Sequence, residues 1–109
     1  MKDITVTGML QYGLCVDGVC HKDFELRLAT LEDVENAIED AGENACPARI
    51  SRHKWAQTIT SLGSLQDKAI NADLLAGLES SEYGILSAAE DELQKKLVAV
   101  SKAPAVTSD

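Results

Sequence analysis

The sequence predicts an α+β domain, an N-terminal antiparallel β-hairpin with room for a third short strand, packed against three to four α-helices. Three observations lead there. An Asp17-Gly18 pair stands between alternating apolar runs, a helix-start signal Thr30-Leu31-Glu32-Asp33 follows closely, and from Leu31 onward apolar residues recur at helical spacing. At 109 residues the chain makes one domain by length, expected over 1–101, large enough to fold without disulfide or metal staples.

The hairpin, expected over about 6–28, is organised by its turn. A type I′ turn needs positive φ at both central residues, which Asp-Gly supplies. Leu10, Tyr12, Leu14 and Val16 then share one face, Val19 lies opposite Val16, and Cys15 pairs with Cys20. Phe24, Leu26 and Leu28 have the opposite parity to Val19 and would face solvent in a regular ladder. A β-bulge near Lys22 or Asp23 would return them to the core. Ahead of Gly8, Ile4 and Val6 mark either a separate short strand or the start of the first long one. A lone hairpin is marginal in water, so this one must lie on helices.

Thr30 can cap a helix over 31–41, with Asp33 at the capping-box position and Gly42 closing it. Leu31, Val34, Ala37, Ile38 and Ala41 form its apolar stripe. Its other face carries Glu32, Asp33, Glu35, Glu39 and Asp40 without a basic residue, which is either a solvated surface or a docking face for a basic partner. Pro47 suits the first turn of a second helix, expected over 47–62 with Ile50, Trp55, Ile59 and Leu62 as apolar contributions. Arg49, Arg52, His53 and Lys54 crowd its front, where cations oppose the dipole; the acidic first helix is the expected compensation. Asn71 can cap a short turn over 72–78. Ser80 or Ser81 starts a last helix over 80–100, with Glu82 favouring the positive end of its dipole. Tyr83, Leu86, Leu93, Leu97 and Val100 lie along one stripe of it. A frayed, disordered tail is expected over 102–109.

Composition narrows the function classes. Eighteen acidic against ten basic residues give a net charge of −8, which repels phosphate backbones and anionic membranes, and four aromatics offer little for base stacking. No apolar run approaches the ~20 residues of a membrane span, and Met1-Lys2-Asp3 leads into a strand-like segment without a signal-peptide core, so the expected compartment is the cytosol. There is no G-x-S-x-G, H-E-x-x-H, P-loop or Gly-rich dinucleotide motif, and His21 and His53 share no obvious partner; both read as surface residues rather than catalytic bases. Cys20 and His21 are adjacent in a strand and point to opposite faces. No enzyme and no cofactor are expected.

The three cysteines Cys15, Cys20 and Cys46 form an odd set. Free thiols are the expectation, with a Cys15–Cys20 cross-strand disulfide as the oxidised alternative. A zinc held by Cys15, Cys20 or His21, Cys46 and His53 lacks the close ligand pairs of structural sites, so no metal is expected.

The order of these signals resembles the tail assembly chaperones of Mu-like and related long-tailed phages. The resemblance is carried by Val16-Asp17-Gly18, by Leu26-Arg27-Leu28 at the strand end, and by Thr30 opening the first helix, where many members have proline; it runs from about Val6 to Leu97. It implies a small non-enzymatic protein in the host bacterial cytoplasm that binds the tape measure protein during tail assembly. It also implies a frameshifted longer form of the chain as a further partner, and a homodimer is compatible with it. No catalytic or metal residue is carried over. Leu86, Leu93, Leu97 and Trp55 are the candidate client-binding residues. The alternative from a different class is a small DNA-binding regulator or antitoxin-like protein using Arg49, Arg52 and Lys54 beside Trp55 on the second helix.

Overall fold

A computed structural model describes residues 4–66 and 69–105 of the chain. Its fold is α+β: a hairpin of β1 (Thr5–Val16) and β2 (Val19–Arg27), then α1 (Leu31–Ala41), α2 (Pro47–Thr58), β3 (Ile59–Leu62), β4 (Leu65–Gln66), α3 (Ala72–Leu75) and α4 (Glu82–Ala105). The strands form one antiparallel sheet in the order β1-β2-β3-β4.

Asp17 and Gly18 both take positive φ, 52° and 83°, as a type I′ turn requires, and Val16 faces Val19 with Cys15 facing Cys20. Cys15 and Cys20 are joined as a disulfide, which corrects the expectation of free thiols. The bulge exists but lies on the other strand. Met9 pairs with Asp23 and Leu14 with His21, so Leu10 to Gly13 stand against Lys22 alone. Three surplus residues invert the phase of β1 as effectively as one would invert β2. Leu10 and Leu14 are therefore buried while Tyr12 between them is exposed, and Phe24 and Leu26 reach the core without leaving register with β1. Gly13 makes this possible: its φ is +79°, and a Cβ there would sit 2.5 Å from the His21 carbonyl oxygen. Upstream, Ile4 and Val6 lead into this same long strand, so the separate short strand does not form there; residues 1–3 lie outside the described residues.

The expected second helix stops early. Thr58-Ile59-Thr60 is a β-branched run, and the chain leaves the helix at Ile59 to become β3, pairing Leu62 with Phe24 and Ile59 with Leu26. This places Ile59 and Leu62 in the core from a strand instead of a helix face. His21, expected at the surface, is buried beneath the β3–β4 turn, where its Nδ1 accepts from the Ser64 N–H at 3.3 Å. The short helix α3 is capped by Asn71 as expected. At the C-terminal end α4 continues to Ala105, so the expected disordered tail is helical over 102–105, and 106–109 lie outside the described residues.

The core joins Leu10, Leu14, Phe24, Leu26, Ile59 and Leu62 of the sheet to Trp55 of α2 and Leu86, Ala89 and Leu93 of α4. Burying side chains of this size contributes about 1.5–3 kcal/mol each, the main term holding the helices to the sheet. Helix α1 is attached differently. Its buried residues are Asp33 and Ala37, whereas Leu31 and Ile38 are 75% and 52% exposed. Asp33 closes the capping box with Thr30 and takes a two-pronged contact from the Arg27 guanidinium at 2.7 and 3.2 Å. Arg27 also donates to the Gln57 carbonyl, and the Gln57 amide donates to the Asp33 carbonyl. This polar clasp fixes α1 beside α2 and leaves much of its expected apolar stripe uncovered.

Candidate functional site

An open groove of about 650 Å³ runs between α2 and the segment joining α3 to α4. Trp55, Leu75 and Leu86 give it a buried apolar base, and Leu78 and Tyr83 add partly exposed apolar walls. Trp55 and Tyr83 stack edge to face with ring centroids 5.0 Å apart, a geometry the aromatic quadrupoles favour. Tyr83 is further placed by its hydroxyl, 3.3 Å from the Ser51 Oγ. The indole N–H of Trp55 is buried without a hydrogen-bond partner among the described residues. Arg49 and Arg52, one turn apart on α2, line the same groove.

The groove stands on a buried electrostatic joint at the start of α4. Glu82 has 0% exposure, and its carboxylate accepts the Gln11 N–H at one oxygen and the Tyr12 and Gly13 N–H groups at the other, all at 2.9 Å. Desolvation pushes the Glu82 pKa up, but these backbone donors outweigh it and hold the carboxyl below its ordinary range. The β1 bulge thus makes a small anion nest, and the protein's own carboxylate fills it. Since Glu82 neighbours Tyr83, the nest also sets where the groove wall stands. Next to it, the Glu79 carboxylate accepts from the backbone N–H and hydroxyl of Ser81 and from the Ser80 hydroxyl, closing the turn ahead of α4.

No family model, curated protein or solved structure matches this chain.

The sequence-selected residues divide in two. Trp55, Leu86, Arg49 and Arg52, chosen for opposing hypotheses, meet in one groove. Leu93 does not: it is 2% exposed within the core, and Leu97 is half-buried further along α4. Leu86, Leu93 and Leu97 therefore do not form an open client-binding stripe. Lys54 turns away to α4, where its Nζ lies 2.8 Å from Glu90. The expected neutralisation of the α2 cations by α1 is not found, because no described ion pair reaches Arg49 or Arg52, and α1's own paired carboxylate, Asp33, is taken by Arg27. Leu75, Leu78 and Tyr83 are groove residues that the sequence did not single out for the site; the only signal for the leucines is the grouping of Leu74, Leu75 and Leu78, and nothing local turns that grouping toward α2. Glu82 stands out in the sequence only as a dipole-favouring acid.

Among the described residues no group of histidine, cysteine and acidic side chains could hold a metal ion, and no helix is long and apolar enough to cross a membrane. The remaining cysteine, Cys46, is exposed at the start of α2. Backbone contact with Arg49 leads the causes that lower its thiol pKa, and partial desolvation opposes them.

Proposed function

We propose that this chain is a non-enzymatic phage tail assembly chaperone that holds an amphipathic helical segment of the tape measure protein in the groove between α2 and the α3–α4 junction, within the host cytoplasm. The groove carries this reading. Its accessible Leu78 and Tyr83 walls, held on a buried aromatic and leucine base with two arginines at the side, suit a helix laid in by its apolar face, with acidic residues meeting the cations. The resemblance of Val16-Asp17-Gly18 and Leu26-Arg27-Leu28 to the family supplies the client's identity. The net charge of −8 supports a protein client over nucleic acid.

Co-expression with the tape measure protein encoded nearby should raise the client's solubility, and the two should co-elute in moderate salt. Arg52→Ala and Tyr83→Ala should each weaken that co-elution. Equal insolubility of the client with and without this chain would refute the proposal. The regulator reading retains Arg49 and Arg52 but loses Lys54 to its ion pair. It would be supported instead by duplex DNA binding whose affinity falls steeply with salt.

A further inference from the structure

The groove sets two arginines beside apolar walls, the complement of an acidic amphipathic helix, and the chain itself displays such a helix. Along α1, Leu31 and Ile38 lie on an exposed apolar ridge seven residues apart, with half-buried Val34 beside it. Glu35 and Glu39, both exposed and one turn apart, flank the same ridge. Helix α1 has acidic residues in its first turn and no basic residue in its last, so it presents one sign of charge throughout. On α2, Arg49 and Arg52 are likewise one turn apart beside an apolar base. Among the described residues no ion pair engages Arg49, Arg52, Glu35 or Glu39.

Two surfaces of complementary charge thus lie uncovered on one molecule, the ridge of α1 with Leu31 and Ile38 and the groove rim with Leu78 and Tyr83 beside its arginines. They cannot satisfy each other within a chain, because the Arg27–Asp33–Gln57 clasp fixes α1 with its ridge toward solvent. We propose that the chain self-associates by docking α1 of one copy, through Leu31 and Ile38, into the α2/α4 groove of a second copy, with Glu35 and Glu39 facing Arg49 and Arg52. The contact joins two different patches, so a two-fold pair makes it twice. A single-helix interface falls at the small end of specific contacts, and the association is transient and concentration-dependent. This inference does not rest on the chaperone reading, since both partners are the chain itself.

Sedimentation of the purified chain alone tests it, at roughly 5 to 500 μM, a range that brackets micromolar dissociation constants. The parent should shift from monomer to a larger species across that range. Two variants, Arg49→Glu/Arg52→Glu and Glu35→Arg/Glu39→Arg, should each weaken association by at least about tenfold. Mixing them should restore it, because every docking between unlike copies then pairs opposite charges. The four positions are exposed or half-exposed, and unchanged thermal unfolding checks that both variants fold. A parent that stays monomeric throughout overturns the proposal. So does association unchanged in both variants, which would place the contact elsewhere, or weakened association that mixing fails to restore.

Discussion

Replacing Glu82 by alanine would test whether the buried nest holds the fold together. The substitution removes the acceptor for three backbone N–H groups, each 2.9 Å from a carboxylate oxygen. Hydrogen bonds to a charged group contribute about 1.5–3 kcal/mol each, and donors sharing one acceptor are not additive, so a loss of about 3–5 kcal/mol is expected. Small domains have about 5–15 kcal/mol in total, and each kcal/mol lost lowers Tm by roughly 4–8 °C. Thermal and urea unfolding should therefore both register a large change. Glu82→Gln should fall between parent and alanine variant, because one amide oxygen can still accept while its NH₂ group opposes another donor. The pH dependence supplies a second signature. Folding lowers the Glu82 pKa below its ordinary value of 4.5, so its stabilisation is complete above that value and is lost as pH falls through the folded value. Glu82→Gln should remove that part of the acid sensitivity. If Glu82→Ala unfolds within about 0.5 kcal/mol of the parent, as an ordinary surface substitution would, the nest is not a structural joint.

Three further outcomes are expected. Leu93→Ala should destabilise by roughly 2–4 kcal/mol in urea unfolding, because the side chain lies in the core; a cost of a few tenths would mean that α4 is detached from the sheet in solution. Asp33, lowered from 3.8 to about 2 chiefly by its hydrogen bond from Arg27, stabilises fully above 3.8 and loses that contribution as pH falls through about 2. Arg27→Met should move the Asp33 carboxyl upward in an NMR titration, and an unmoved value would contradict the clasp. For the thiols, protein purified without reductant should take one alkyl group per chain, at Cys46, and three after reduction under unfolding conditions; three without reduction would contradict the Cys15–Cys20 disulfide.

Local chemistry was legible in the sequence where neighbouring residues alone settle it. The Asp17-Gly18 turn and the Thr30–Asp33 capping box are complete within four residues, and both are found as expected. The conflict in apolar parity was legible too, but its location was not. Either strand could absorb it, and the deciding signal was Gly13, the one glycine inside the alternating run Leu10 to Val16. At Thr58-Ile59-Thr60 helical spacing and β-branching competed, and pairing with β2 decided for strand. Periodicity correctly found the ridge of α1 but could not say that a polar clasp would attach the helix and leave Leu31 and Ile38 outside. The groove draws on α2, α3 and α4, and its assembly depends on Glu82 finding a bulge some seventy residues earlier.

That long-range joint also limits how other chains can approach. β1 is one of the two edge strands of the sheet, where unspent backbone groups ordinarily invite a foreign strand to add on. Here the amides of residues 11–13 are occupied by Glu82, and the Thr5 carbonyl accepts from the Lys96 ammonium at 2.7 Å. Helix α4 thereby acts as a guard rail along the sheet margin, discouraging edge-to-edge aggregation. Strand addition is hindered at both places along β1, and a chain that approaches this edge meets the side chains of α4, which rather than free backbone set the terms of contact.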